Sequence, residues 1–449
     1  MAKKPWMVLA FLILGSAAKP VPVPSPRVEP IPTLPELALE KPLHASEAMA
    51  EFVTREEDIR KLFSEKHYED ALGLIESEVK KLNSGNGSSD YRAWLDRQKW
   101  ILKTAQAWPL LEKQNCNGAM DILREIPSDK IPAVALKAFG YCKLMAREWP
   151  DADTYLTQYI QTQNQDKEAV QMLARVKEYQ GLFEEAIDLT HKLEKMPDGG
   201  AAPVDLEPIK RSLAAKQDES EKQLMMETGF FRIHYQPNVG PDFIEKVVET
   251  LNKTASKLNL DFGIDYPSNV VDIYFHSEER FGEITHSPNW AAGIYDGQIR
   301  LPVGQDAVWS EETERSIRHE LAHALLSEMV GRRNLPTWFQ EGFAQMAECE
   351  DLCLHYEYAA TTQKFFPIEK FDETFMKMPT REAQVAYKQS FYMMLLLQRH
   401  QGVANMKQMF SLIEGLSVLS SADIVEQGAW TFPMLHQYAK QAWEGQLSL

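Results

Sequence analysis

The sequence predicts two folded regions of different class: an all-α region built from repeated helix pairs, then an α+β domain. Three observations predict this. Between Ser46 and Pro197 apolar residues recur three and four apart, the spacing of helices that bury one face. Within that stretch short patterns return at about 34 residues, the size of a helix-turn-helix repeat. From Thr228 onward strand-like runs such as Phe230–Tyr235 alternate with helical stripes, the pattern of a mixed domain. The 449 residues provide for two to three domains.

The elements follow in order. Met1–Lys4 is basic, Trp6–Leu14 is unbroken apolar, and Gly15, Ser16, Ala17 and Ala18 are small. This is the layout of a secretory signal, with cleavage expected after Ala18. The run is shorter than the roughly 20 residues of a membrane-spanning helix. No cysteine follows it, so a lipoprotein signal is not supported. The expected product is exported, periplasmic or secreted, with no transmembrane span in the mature chain. An uncleaved N-terminal anchor is the alternative. Residues 19–45 are punctuated by Pro20, Pro22, Pro24, Pro26, Pro30, Pro32, Pro35 and Pro42, which predicts an extended linker.

Residues 46–200 carry the repeat. Trp149–Pro150–Asp151–Ala152 returns as Phe183–Glu184–Glu185–Ala186, and Cys116–Asn117–Gly118–Ala119 precedes them at nearly the same spacing. Tyr68–Glu69–Asp70–Ala71 is an earlier copy, separated by a longer interval that the Asn83–Ser89 stretch accounts for as an inserted loop. A small alanine three residues after a larger side chain lets two helices approach closely. The pattern resembles tetratricopeptide repeats, which implies a region that holds a substrate or partner protein. An irregular helical bundle is the alternative. Residues 201–224 read as a helical connector, and residues 225–449 as the α+β domain. There, Phe243, Val247, Leu251, Ala255 and Leu258 form a helical stripe, and Val270–Phe275 is a second strand. Gly293–Leu301 reads as a hairpin turning at Asp296–Gly297. Beyond Ser310 the pattern is mainly helical.

Lys+Arg number 48 against Asp+Glu 65, a net charge of −17. This argues against nucleic acid as a partner and against docking on anionic lipid. The four cysteines, Cys116, Cys142, Cys349 and Cys353, are too few for a disulfide scaffold and lack the pairing of a structural zinc site. Free buried thiols are the expected state.

The chemistry concentrates between Ser316 and Glu348. His319–Glu320–Leu321–Ala322–His323 is H-E-x-x-H in a helical stretch that Ser310 can cap and Gly331 can stop. Two histidines at i, i+4 share a face and can reach one cation. Glu320 lies about 100° round the helix, free to address a water. After Pro336, suited to a first helical turn, comes Thr337–Trp338–Phe339–Gln340–Glu341–Gly342–Phe343–Ala344. Glu341 sits among aromatic residues where an unpaired carboxylate is costly. It is the candidate third ligand, and two His with one Glu and an open position suit catalytic Zn2+.

These residues carry a resemblance. H-E-L-A-H followed by L-P-T-W-F-Q-E-G-F-A is similar to the gluzincin branch of zinc metallopeptidases, and in particular to the peptidase MA-like family. The similarity extends to Pro288–Gly297 upstream and to Ala386–Tyr392 downstream, within residues 225–449. It implies a zincin-like fold, Zn2+ on His319, His323 and Glu341, and hydrolysis of peptide bonds by a zinc-bound water that Glu320 activates. It also implies a hydrogen-bond donor for the oxyanion. Tyr387 is the candidate, with Tyr392 and His400 as rivals. Thermolysin-like relatives carry an Asp four residues after the ligand Glu, a partner for the first histidine; Gln345 stands there in this sequence. Two other readings stand beside the peptidase: a catalytically silent repeat scaffold, and a zinc hydrolase acting on another amide.

Overall fold

The computed structural model describes residues 50–83, 89–113, 115–197, 206–267, 269–287, 291–330, 335–348, 364–371, 375, 378–415, 420–426 and 430–446. The expected signal (1–18) and proline-rich linker (19–45) lie outside them. So do Asn83–Ser89 in its central part, Pro288–Trp290, Gly331, Cys349 and Cys353.

The first region is all-α: α1 (Ala50–Ser64), α2 (Tyr68–Asn83), α3 (Ser89–Glu112), α4 (Cys116–Leu123), α5 (Ala133–Met145), α6 (Trp149–Thr162), α7 (Lys167–Tyr179) and α8 (Phe183–Lys195). Tyr68, Cys116, Trp149 and Phe183, which head the four sequence copies, each open the second helix of a pair. The alanines three residues on, Ala71, Ala119, Ala152 and Ala186, are completely buried. Lys66, Arg147 and Gly181, each two residues before such a helix, have positive φ. The turn thus repeats in backbone even where no glycine marks it. The longer first interval has a different cause from the expected loop alone: α3 runs 24 residues where α5 and α7 run 13. Cys116 and Cys142 are free thiols, the latter buried.

The connector is helical over α9 (Glu207–Ser220) and packs on α8 on one side and α11 (Glu278–Thr285) on the other. The sheet begins earlier than expected, at β1 (Leu224–Thr228), followed by β2 (Phe231–Tyr235), β3 (Val271–Ser277), β4 (Ile294–Tyr295) and β5 (Ile299–Val303). Its order is β1-β2-β3-β5-β4. β2, β3 and β5 run parallel, and β1 and β4 are antiparallel edges. α10 (Pro241–Phe262) makes the crossover from β2 to β3, with Phe243, Val247, Leu251, Ala255 and Leu258 all buried.

The remainder among the described residues is helical: α12 (Glu311–Met329), α13 (Thr337–Glu348), α14 (Thr380–Gly415, broken at Gly402 where φ is +69°), α15 (Ser421–Glu426) and α16 (Phe432–Trp443). One continuous apolar core joins the sheet to these helices. Trp338, Phe339 and Phe343 are fully buried in it, as aromatic core. None of the described helices is long and apolar enough to cross a membrane.

Candidate metal centre

Two helices position the site. Ser310 caps α12, its hydroxyl accepting from the Thr313 N–H at 3.0 Å, and Glu311, Glu312 and Glu314 favour the positive helix start. Ile317, Leu321 and Ala324 anchor one face of α12 in the core. The opposite face then presents His319 and His323 together. α13 starts after Pro336, whose carbonyl accepts from Phe339 N–H at 3.0 Å. Its core face is Trp338, Gly342, Phe343 and Met346. This turns Glu341, Gln345 and Glu348, spaced i, i+4, i+7, toward α12.

The two helices bring three candidate ligands together. His319 Nε2 and His323 Nε2 are 3.1 Å apart, and Glu341 Oε2 lies 3.4 and 3.6 Å from them. Ligand atoms of a tetrahedral zinc with bonds of about 2.0–2.1 Å are separated by about 3.3 Å. The spacing fits. Glu341 Oε2 is buried and accepts no hydrogen bond among the described residues. A buried carboxylate oxygen without a donor is costly unless a cation answers it. Among the described residues this is the one group of three or more His, Cys, Asp or Glu with metal-ligand spacing.

Electrostatics agree. Burial alone would raise the Glu341 pKa, but the imidazoles of His323 and His319 bring it down to about 2. Burial disfavours charge on His319, yet the Glu341 and Glu348 carboxylates override it and raise the pKa well above the ordinary histidine value. A proton and a metal cation therefore compete for the same negative pocket. Glu320 is buried beside the histidines, and burial raises its pKa despite their opposing pull.

The partner of the first histidine is Glu348. Its Oε1 lies 2.7 Å from His319 Nδ1, and Gln345 Nε2 donates to the same oxygen at 2.7 Å. Gln345 therefore does not leave His319 unsupported; it holds the carboxylate that supports it. Arg318 Nη1 donates to the Glu348 carbonyl at 3.2 Å, a cation at the negative end of α13. Glu348 is not among the residues the sequence singled out; its i, i+7 spacing from Glu341, two helical turns, is the signal that marks it.

Tyr387 on α14 is half-buried and edge-on to Phe375. Burial first, then the charges of Glu341 and Glu320, raise its pKa, so its hydroxyl keeps its proton. Of the rivals, Tyr392 is buried edge-on to Trp443, and His400 is exposed against Trp430. The neighbouring Gln389 is buried, accepting from Phe366 N–H at 2.9 Å and donating to the Lys364 carbonyl at 3.1 Å.

The edge strand reaches the site from the sheet. A Cβ added to Gly293, just before β4, would lie 2.8 Å from Glu320 Cγ and 3.0 Å from its Oε1. Backbone therefore packs directly on Glu320. Gly293 is the residue type this contact requires.

Residues 250–428 match the family model described as the peptidase MA superfamily. The matched stretch includes His319, Glu320, His323, Glu341 and Tyr387, and leaves out β1 and β2, which are hydrogen-bonded into the same sheet. No curated protein matches the chain. A peptidase MA domain, metallopeptidase-like, thus occupies the C-terminal region, and a peptidase implies a protein or peptide substrate.

Proposed function

We propose that this chain is an exported zinc-dependent endopeptidase whose helical pairs recruit a substrate or partner protein. The observation that carries the reading is the donor set: two imidazole nitrogens and one undonated carboxylate oxygen at tetrahedral spacing, beside a buried Glu320. His319, His323 and Glu341 would hold the metal, which supplies a Lewis acid for a carbonyl and for water. Glu348 fixes the His319 ring so that Nε2 faces the centre. Glu320, its pKa raised by burial, takes the proton of the attacking water and delivers it to the leaving amine. Tyr387, held protonated, donates to the oxyanion. β4, at one edge of the sheet, is the strand along which an extended peptide can lie as a further strand. The basic, apolar and small residues of 1–18 support export.

The test is cleavage of a proteome-derived peptide library by protein as purified, after chelation, and after return of one zinc per chain. Cleavage should vanish on chelation and return with zinc. Cleavage that persists in the chelated protein, or a zinc-loaded protein that cuts no peptide, contradicts the proposal. The second outcome would favour the silent scaffold or a hydrolase for another amide.

A further inference from the structure

Between the helical pairs and the metal centre lies the β4–β5 hairpin, and the helical pairs grip it. Tyr179, the last residue of α7, donates its hydroxyl to the Asp296 carbonyl in the hairpin turn at 2.8 Å. Its ring stacks on Trp149 with centroids 4.5 Å apart. Gly297 comes next with φ +106°, and a Cβ there would meet the Tyr179 hydroxyl oxygen at 3.0 Å. Arg147, in the positive-φ turn between α5 and α6, sets its guanidinium 5.3 Å from the ring centroid of Tyr295 on β4.

A buried polar circuit backs this grip. The Asp296 carboxylate accepts from Arg300 Nε at 3.2 Å, and Arg300 Nη1 lies 3.4 Å from His276 Nε2. His276 Nδ1 bonds to the Glu219 carboxylate on α9. One turn earlier on α9, Lys216 pairs with Glu178, the neighbour of Tyr179. Lys216, Glu219, His276 and Arg300 are all buried. Such a circuit tolerates one arrangement, because any slip leaves a buried charge unpaired. The far side of the same hairpin is the Gly293 backbone packed on Glu320.

We infer that Tyr179 and Arg147 are positioning residues for the peptidase site: through Asp296 and Tyr295 they hold the edge strand β4 in register against Glu320, so the helical region forms part of the substrate-binding wall. The grip itself stands on geometry; its role toward substrate rests on the peptidase reading above. The ligand it serves is a polypeptide in extended conformation, bound through its backbone along β4.

The experiment compares wild type with Tyr179→Phe, which removes only the hydroxyl, and Arg147→Asn, which removes the cation while tolerating the left-handed turn. The first readout is amide hydrogen exchange across 294–301 in full-length protein with its zinc content measured. Loss of one hydrogen bond should speed exchange there by roughly three- to tenfold, with zinc content unchanged. The second is steady-state cleavage of a peptide that wild type cuts from the library. A loosened binding edge should raise KM several-fold while kcat changes little. Unchanged hairpin exchange in both variants overturns the grip. Faster exchange with unchanged KM overturns the role toward substrate. A wild type that binds zinc but cuts no peptide overturns the peptidase reading and the substrate role with it, while the exchange result still decides the grip.

Discussion

The two ring nitrogens of His319 face different tasks: Nε2 points to His323 and Glu341, and Nδ1 is held by Glu348. The H-E-x-x-H face was legible because it is local, set by the 3.6-residue period alone. Glu341 was legible from its apolar setting. Glu348 was not singled out, because Gln345, not a carboxylate, stands four residues after Glu341. A carboxylate seven residues on reaches the same place, with Gln345 steadying it. If Glu348 orients the ring, Glu348→Ala should weaken zinc binding by about 10- to 100-fold, measured by competition with a chromophoric chelator. Glu348→Gln, which keeps an acceptor oxygen, should recover part of the loss. Affinity unchanged in the alanine variant would remove Glu348 from the account.

At the scale of elements, the site depends on how closely α13 crosses α14. A Cβ on Gly342 would lie 2.5 Å from the Ser390 carbonyl oxygen and 2.9 Å from its carbon, both backbone atoms with little freedom to yield. Gly342→Ala should therefore cost about 1–3 kcal/mol by overpacking, seen as a thermal midpoint several degrees lower. It should also weaken zinc binding, since Glu341 is the adjacent residue. Gly282 in α11 is a contrast: nothing lies within 4 Å of its added Cβ, so Gly282→Ala should be neutral or slightly stabilising. A stable Gly342→Ala variant would contradict the close crossing. Most elements were readable where one face is buried in strict period, as on α10 and α12. β1 was not, because Leu224–Met225–Met226–Glu227–Thr228 is an exposed edge with no inside and outside to alternate. α11 was missed because its eight residues bury only Phe281 and Ile284, too few to show a period. The left-handed turns at Lys66 and Arg147 were hidden for another reason: lysine and arginine do not advertise positive φ as glycine does.

At the scale of the whole molecule, the sequence distinguished a helical half from a mixed half but gave no sign that they share a wall. Contacts such as Tyr179 with Asp296, 117 residues apart, leave no trace in local periodicity. The net charge of −17 was similarly uninformative about the site. It argues against polyanionic partners, yet the chemistry rests on a few acids that geometry collects around two histidines. If Glu320 is the base of a zinc peptidase, kcat/KM for a library-derived peptide separates wild type from Glu320→Gln, each verified to carry one zinc. The expected result is a loss of at least about 100-fold in the variant with zinc retained. A zinc-loaded Glu320→Gln protein that cuts as fast as wild type would contradict it.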